Sequence, residues 1–400
     1  MAEPLILVLN CGSSSVKYQL RQGAASLAGG VLDGIGTGAL RWRCEPGERA
    51  LPLPPHVSDH RGALVAILEH LCSAPGLGLP ASLAAIGHRV VHGGVRFLSP
   101  VAVDDKVVAE ITRLIPLAPS HNPVNLLGIE VARQRFPGVP QVVVFDTAFH
   151  HTLPEYAWRY PLPEAALAGL AAGSPVRRYG FHGISHAQAA RRAAAWLRRP
   201  PAAVNLITLH LGNGASATAI QGGCSIDTSM GFTPLEGLMM GSRSGDIDPA
   251  LPLLMQAAGR DPAAVRALLE QESGLKAVCG SSDMREVRER AAAGDREAAL
   301  AREMFCYRVR KIIGAYLAVL GRVDAIVFTG GIGAHDAEVI RRSCAGLEGC
   351  GIVLGPPRED PDTDITALHD SRHATVAVLA MAADEEAEIA RQTRACLGLG

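Results

Sequence analysis

The sequence predicts an α/β protein made of two related domains that face one cleft. Three observations carry this reading. The segment Leu5-Ile-Leu-Val-Leu-Asn-Cys-Gly-Ser-Ser-Ser-Val-Lys-Tyr-Gln-Leu20 places two apolar, strand-like stretches around a compact glycine and hydroxyl loop, whose amides and hydroxyls suit phosphate oxygens. In the other half, a strand over Val204 to His210 delivers a second such loop, Leu211-Gly-Asn-Gly-Ala-Ser216. With 400 residues and 48% hydrophobic composition, the chain can bury a large core, and two domains are favoured over one.

The first loop is not a Walker sequence. GxxxxGK[ST] leads from a strand into a helix, whereas Lys17 is followed at once by more strand-forming residues. A strand-turn-strand clamp fits better, and an ordinary hairpin with Gly12 in its turn is the competing reading of this segment alone.

A Gly- and Pro-containing stretch then runs to about residue 60, followed by a helical pattern over Gly62 to Leu71. The strand Ala85-Ile-Gly-His-Arg-Val-Val91 ends in His92-Gly-Gly94, and a helix-like segment near Asp104 to Leu114 leads to Pro119-Ser-His-Asn-Pro123. Gln141-Val-Val-Val-Phe145 reads as a buried strand ending at Asp146. Strand ends of this kind are where open α/β sheets place ligands. Several Pro and Gly over 155–178 mark the domain change, giving a first domain of 1–152 plus 384–400 and a second of 153–383. Ala-rich helical segments follow near 187–198, 262–272 and 297–320. The strand Asp324-Ala-Ile-Val-Phe328 empties into Thr329-Gly-Gly-Ile-Gly333, and the strand-like run Ala374 to Met381 precedes Asp384-Glu-Glu386 and a closing helix.

Composition narrows the function. A formal charge of -1, from Lys+Arg 38 against Asp+Glu 39, leaves no general electrostatic footprint for nucleic acid. The nine cysteines are scattered, odd in number and without a CxxC pair, which argues against a disulfide framework or structural zinc and for a reducing cytoplasm. The start, Met-Ala-Glu-Pro, enters an apolar strand without the features of a signal peptide. No stretch has the apolar span needed to cross a bilayer.

The polar residues suit phosphoryl transfer, which needs donors around the transferred group, carboxylates for Mg²⁺ and a pocket that aligns the acceptor. Asn10, Ser13, Ser15 and Lys17 can face phosphate, and Asp146 and Glu385 can hold Mg²⁺ directly or through its waters. Arg89 lies in an apolar run where an unpaired charge is costly. With Arg243 it can grip a carboxylate and the transferring group. Arg243 sits in Gly-Ser-Arg-Ser-Gly-Asp, where a solvated arginine is an equal alternative. His182, in Gly180-Phe-His-Gly183, can donate to an equatorial phosphoryl oxygen. The many histidines form no HExxH motif. His88, His92 and His186 read as satisfied structural histidines, whereas His121 and His182 stand in Gly- and Pro-rich loops.

Together, Asn10-Cys-Gly-Ser-Ser-Ser-Val-Lys17, Gly87-His-Arg-Val-Val-His-Gly-Gly94, His121-Asn-Pro123, Phe145-Asp-Thr-Ala-Phe-His150, Tyr179-Gly-Phe-His-Gly183 and Asp227-Thr-Ser-Met-Gly-Phe-Thr-Pro-Leu-Glu-Gly-Leu-Met-Met-Gly241 closely resemble the acetate kinases, in order and spacing, over nearly the whole chain. The resemblance implies the acetate and sugar kinase, Hsp70 and actin type of fold, a duplicated ribonuclease H-like unit around a nucleotide, with the last helix returning to the first domain. It implies a homodimer that makes acetyl phosphate reversibly from acetate and ATP with Mg²⁺, Mn²⁺ being a substitute, while the composition above adds the expectation of a cytoplasmic protein that needs neither nucleic acid nor membrane. By position, Asn10 corresponds to the phosphate- and metal-side asparagine, Arg89 and Arg243 to the arginines at acetate and the transferred phosphoryl group, and His182 to the transition-state histidine. Asp146 corresponds to the catalytic acid and Glu385 to the magnesium-associated glutamate. His210, Leu211, Gly212, Asn213 and Gly214 match the second phosphate loop, Asp283, Met284 and Arg285 the adenosine side, and Gly330, Gly331, Ile332 and Gly333 the loop under the nucleotide. Val91, Phe181 and Pro234 belong to the acceptor pocket, with Ser120 and His121 on the same side.

Departures fall at Val95, where the family usually has Glu, and at Ser120, where it usually has Leu. Ala334-His335 replaces Glu-Asn, placing His335 at the nucleotide, and Ala383-Asp384 replaces Thr-Asn before Glu385-Glu386. A kinase preferring propionate or another short carboxylate shares the same machinery. A nucleotide-driven switch of the Hsp70 and actin type is the alternative from a different class.

Overall fold

The computed structural model describes residues 3–37, 39–45, 49–54, 57–79, 81–171 and 173–399. The chain divides into two compact units: Met1–Phe149, Leu162–Pro175 and Asp384–Gly400 form the first, and His150–Pro161 with Val176–Ala383 the second.

The first unit is built on strands β1 (Leu5–Cys11), β2 (Ser15–Gln22), β3 (Ala25–Asp33), β4 (Arg41–Glu45), β5 (Arg49–Ala50), β6 (Leu83–Val90), β7 (Val101–Ala102) and β8 (Gln141–Phe145) in the order β5-β4-β3-β2-β1-β6-β8-β7. β1, β2 and β3 form an antiparallel meander, while β1, β6 and β8 run parallel. In the second unit, β9 (Asn205–Leu211), β10 (Ala215–Gln221), β11 (Cys224–Thr228), β12 (Ala325–Thr329), β13 (Leu354–Glu359), β14 (Thr366–His369) and β15 (Ala377–Ala380) take the order β11-β10-β9-β12-β15-β14-β13. Here too a three-stranded antiparallel meander passes its first strand to two parallel neighbours. The core of β3-β2-β1-β6-β8 and that of β11-β10-β9-β12-β15 therefore share one topology, the duplication that the paired loops suggested. Each loop is the first hairpin of its unit.

The parallel strands at the centre of each sheet are covered on two faces, so β1, β8 and β12 are wholly buried and mostly apolar rather than alternating. The Gly- and Pro-containing stretch before residue 60, in which the sequence reading places no strand, contains β3, β4 and β5. Gly30 sits inside β3 because the flanking strands leave no room: a Cβ there would stand 2.3 Å from the Arg43 carbonyl oxygen and 2.8 Å from Tyr18 Oη. Tyr18, fully buried, fills the space that the glycine vacates.

The helices begin where capping residues allow. Asp59 accepts from Gly62 N at 2.8 Å to start His60–Ser73, and Asp384 accepts from Ala387 N at 2.9 Å to start the closing helix Glu385–Leu397. Glu385, Glu386 and Glu388 occupy that helix's first turn, where its positive end favours them. Among the described residues no helix is long and apolar enough to cross a membrane.

The closing helix lies against β6 at Gly87, whose added Cβ would meet Thr393 Oγ1 at 2.5 Å and Ile389 Cγ2 at 2.8 Å. This close approach places Glu385 beside the end of β6. Gly87→Val is therefore expected to lower stability by about 1–3 kcal/mol through overpacking, and to lower kcat as well by displacing Glu385. Thermal unfolding with steady-state kinetics tests this, and a variant of unchanged Tm and turnover would contradict it.

Candidate active site

In the first unit the parallel strands deliver their polar residues to one place. Arg89, next to last in β6, donates from Nε and Nη2 to Asp146 Oδ2 at 3.0 and 2.5 Å. Its Nη1 donates to Asn10 Oδ1 at 3.2 Å, and Glu385 Oε2 stands 4.0 Å from its Nε. Asn10 Nδ2 donates in turn to Glu386 Oε1 at 3.0 Å. Four of the candidates, Asn10, Arg89, Asp146 and Glu385, are thus one cluster. Burial pulls the Arg89 guanidinium down, but the charges of Asp146 and Glu385 outweigh it and hold the group above its ordinary value.

Two asparagines not singled out from the sequence fix the strand ends. Asn125 donates to the Cys11 carbonyl at 2.8 Å and accepts from Val91 N at 3.0 Å, bridging β1 to β6. Asn122 accepts from His92 N and donates to His92 O at 3.1 and 3.2 Å. Both are buried at the start of the helix Asn122–Arg135. Their three-residue spacing behind His121, which puts two amides on one face, was the available signal.

Of the hairpin residues, Ser13 and Lys17 are exposed and Ser15 is half-buried. The turn is closed by Gly12 N donating to Ser15 O at 2.7 Å. Lys17 pairs in register with Asn10 and its charge acts on Glu385. Val91 is buried, whereas Ser120 is exposed in the turn before the helix that His121 precedes.

The second unit gathers a different set. His182 caps the helix Gly183–Trp196 with φ 56°, in the left-handed region that non-glycine residues seldom occupy. Its Nδ1 lies 2.9 Å from Ser216 Oγ, and its ring is 4.4 Å from that of His210. A Cβ at Gly214 would be 3.4 Å from His182 Nε2 and 3.8 Å from Arg243 Nη1. The imidazole and the guanidinium therefore converge on the second loop, which Gly241 N holds by donating to Asn213 O at 3.1 Å. Burial lowers the Arg243 pKa, with the charge of Glu270 opposing.

The loop carrying Pro234 and the residues around Phe181, expected on the acceptor side, are held by a network that sequence reading missed. Arg178 donates to the carbonyls of Thr228, Ser229 and Met230 and to Glu236 Oε1 at 2.5 Å, and Tyr160 Oη donates to Glu236 Oε2 at 2.5 Å. This ties down the loop carrying Pro234, whose carbonyl lies 3.4 Å from Arg243 Nη1. Phe181 is buried and its carbonyl lies 3.0 Å from His150 Nε2.

Gly212, Asn213, Asp283, Met284, Arg285, Gly331, Ile332 and His335 line a cavity of about 700 Å³, joined by Ser282, Arg288 and Asp336. That volume and its mix of apolar and polar walls suit a small-molecule ligand. Leu211, Gly330 and Gly333 are not among its lining residues but adjoin them in sequence, and at φ 78° Gly330 would bring a Cβ to 2.6 Å from the Leu211 carbonyl oxygen.

Among the described residues no group of three or more His, Cys, Asp or Glu could hold a metal by itself. The first-unit cluster nevertheless fits a cation that also takes water or phosphate oxygens. Asp146 Oδ1 is buried without a hydrogen-bond partner. Burial, with the charges of Asp146 and Glu386, pushes the Glu385 carboxyl up to about 7 against the pull of Arg89 and Lys17.

The fold is that of the actin, Hsp70 and sugar kinase superfamily, with which solved structures agree over nearly the whole chain. The chain belongs to the acetokinase family, whose model matches residues 5–391. It is 50% identical over 406 aligned residues to an acetate kinase of Streptomyces avermitilis, covering 100% of this chain and 98% of that one. It is 38% identical to the acetate kinase structure of Porphyromonas gingivalis, with a TM-score of 0.88, covering 98% and 100% of the two chains. A propionate kinase structure from Francisella tularensis is 37% identical, also with a TM-score of 0.88, covering 98% and 99%.

A carboxyl held above its ordinary value stabilises the fold fully below the unfolded pKa and loses that contribution as pH rises through the folded one. For Glu385 the window runs from about 4.5 to about 7. At pH 8 without metal, Glu385→Gln should therefore raise Tm by about a few degrees while impairing turnover. Calorimetry at pH 5 and 8 checks the sign, and an equal Tm difference at both would contradict it.

Proposed function

We propose that this chain transfers the γ-phosphoryl group of ATP to acetate, reversibly, giving acetyl phosphate and ADP. The observation that carries the reading is the Asn10–Arg89–Asp146–Glu385 cluster at the strand ends of a chain in the acetokinase family. A carboxylate acceptor is already an anion, so its oxygen can form the new P–O bond as the bond to the ADP oxygen breaks, and no proton has to be removed. What the reaction needs is charge compensation and alignment. Arg89 and Arg243 supply guanidinium donors and His182 an imidazole donor. Val91, Phe181 and Pro234 offer apolar contacts for a methyl group.

The nucleotide belongs in the cavity between Gly212-Asn213, Asp283-Met284-Arg285 and Gly331-Ile332, with His335 on its wall. Asn10, Asp146 and Glu385 would hold Mg²⁺, with Mn²⁺ as a substitute. The ion, when bound, neutralises charge on the phosphates. Asp146 Oδ1 is the oxygen left over for that purpose. Transfer is direct and in line, without a phosphoenzyme.

A second reading, with propionate as the better acceptor, is favoured by the equal likeness to a propionate kinase structure and by Ser120. Removing apolar bulk at that position would admit a longer acid. One additional methylene is worth only about 1–3 kcal/mol of discrimination.

The active form is a homodimer. No residue of the helix Ala250–Ala257 is buried, and Leu253 and Leu254 are 66% and 63% exposed on it. Leu300, Met304 and Tyr307 add an exposed apolar stripe on the helix Arg296–Leu320. A second copy covering these faces would remove them from water. Leu253→Glu with Leu254→Glu is expected to yield monomers in sedimentation, and an unchanged oligomeric state would remove this face from the interface.

Purified protein with ATP and Mg²⁺ should yield acyl hydroxamate from acetate in the presence of hydroxylamine, and ATP from acetyl phosphate and ADP. Inactivity of folded, metal-supplied protein in both directions would sink the proposal. Arg243→Ala is expected to lose on the order of a hundredfold or more in kcat, and kcat/KM for acetate, propionate and butyrate in wild type and Ser120→Leu ranks the acceptors.

A further inference from the structure

His182 does not meet Ser216 in isolation. Ser216 Oγ lies 2.9 Å from His182 Nδ1 and 2.8 Å from His186 Nε2, and His186 Nδ1 lies 2.8 Å from Thr208 Oγ1. Ser216, His186 and Thr208 are completely buried. The chain of contacts runs from the helix Gly183–Trp196 to neighbouring strands β9 and β10 and back.

Each hydroxyl has one proton, which gives the chain a direction. Ser216 touches two ring nitrogens, so it donates to one and accepts from the other. Burial holds the His186 pKa well below 6.5, with the charges of His150 and His210 acting the same way, so its ring is neutral and carries one N–H.

Two directions are then open. In one, Thr208 donates to His186 Nδ1, His186 Nε2–H donates to Ser216, and Ser216 donates to His182 Nδ1. In the other every proton is reversed, and the Thr208 hydroxyl, accepting from His186, must find another acceptor for its own hydrogen. Among the described residues Thr208 Oγ1 has His186 as its one partner. The reversed chain therefore buries an unmet donor, which is disfavoured.

We propose that Thr208, His186 and Ser216 are positioning residues that fix neutral His182 as the Nε2–H tautomer, so that its donor faces the phosphoryl group at the second loop. Nε2 is the nitrogen that lies 3.4 Å from a Cβ position on Gly214, beside Arg243 Nη1. The left-handed backbone at His182 holds the ring there. The other ionisable groups near the chain of contacts include the His210 ring at 4.4 Å from His182, itself bonded to Ser185 Oγ through Nδ1 at 2.8 Å, the His150 ring at 5.8 Å from His186, and the Arg243 guanidinium. The inference deepens the kinase reading and rests on it for the role of His182.

The tautomer is measurable without turnover. Magic-angle-spinning NMR of sedimented, ¹⁵N-histidine-labelled protein, with His182→Gln to assign the signal, is expected to show His182 protonated at Nε2 and unprotonated at Nδ1. Thr208→Val removes the proton that sets the direction and should turn the His182 signal into a mixture. It should lower kcat about tenfold or more with little change in KM for ATP. Thr208→Ser should restore both. An Nδ1–H tautomer in wild type overturns the proposal, as does a Thr208→Val protein with unaltered tautomer and kcat. If that variant does not fold, Ser216→Ala decides by the same spectral criterion. A wild type that makes no acyl phosphate while showing the expected tautomer shift would sink the kinase reading and leave the relay standing.

Discussion

The first unit is organised around one desolvated ion pair. Asp146 is 1% exposed, and Arg89 projects from a strand whose other residues are apolar except His88. Removing one partner of such a pair costs about 3–5 kcal/mol, because the survivor is left charged and buried. The surroundings are therefore fixed in detail. β1 must bring Asn10 to the free side of the guanidinium, and the chain must return at its other end to place Glu385 and Glu386, with the Asn10–Glu386 contact spanning 376 residues. Gly87 is small so that the returning helix can come this close. Asn122 and Asn125 hold the strand ends rigid. Such a pair is weak support for stability by itself, and it leaves one buried oxygen, Asp146 Oδ1, without a hydrogen-bond partner among the described residues.

Much of this was legible in the sequence because it is written in strand ends. Arg89 and Asp146 each interrupt or terminate an aliphatic run, and a charge in such a place needs a partner. That both belong to one pair was not legible, since parallel pairing of β6 with β8 is a non-local fact. The two hairpins were readable for the same reason, as apolar runs flanking small polar residues. The strands before residue 60 were not, because β3 carries Gly and Ala where the Tyr18 ring covers it, and a glycine demanded by a neighbour's bulk looks in sequence like one demanded by a turn. Arg178, Glu236 and Tyr160 were equally hidden. They contact one another across up to 76 residues and act by holding a loop.

The histidines show where a residue-by-residue reading stops short. His88 fits the structural role expected of it: it bonds Gln141 at 2.8 Å, and burial, only partly opposed by that bond, lowers its pKa to about 4. His186 is equally buried and equally satisfied, so the same reading applies to it by every local criterion. The difference is direction. His88 meets an amide whose orientation can adapt, whereas His186 stands between two hydroxyls, one of which has no second acceptor and so cannot reverse.

The same comparison bears on how this cluster of imidazoles is held. A metal needs ring nitrogens with their lone pairs turned to one point. Here the Nδ1 atoms of His150, His182, His186 and His210 are each matched to a hydroxyl, of Ser225, Ser216, Thr208 and Ser185 respectively. A hydroxyl serves as donor or acceptor as required, so it can pass on the choice that its neighbour makes. Threonine and serine on two strands, with His186 on one helix between them, thus transmit a proton position from a buried threonine to the His182 ring at the second loop. A metal would hold those rings in place but would take the lone pairs through which that choice is passed.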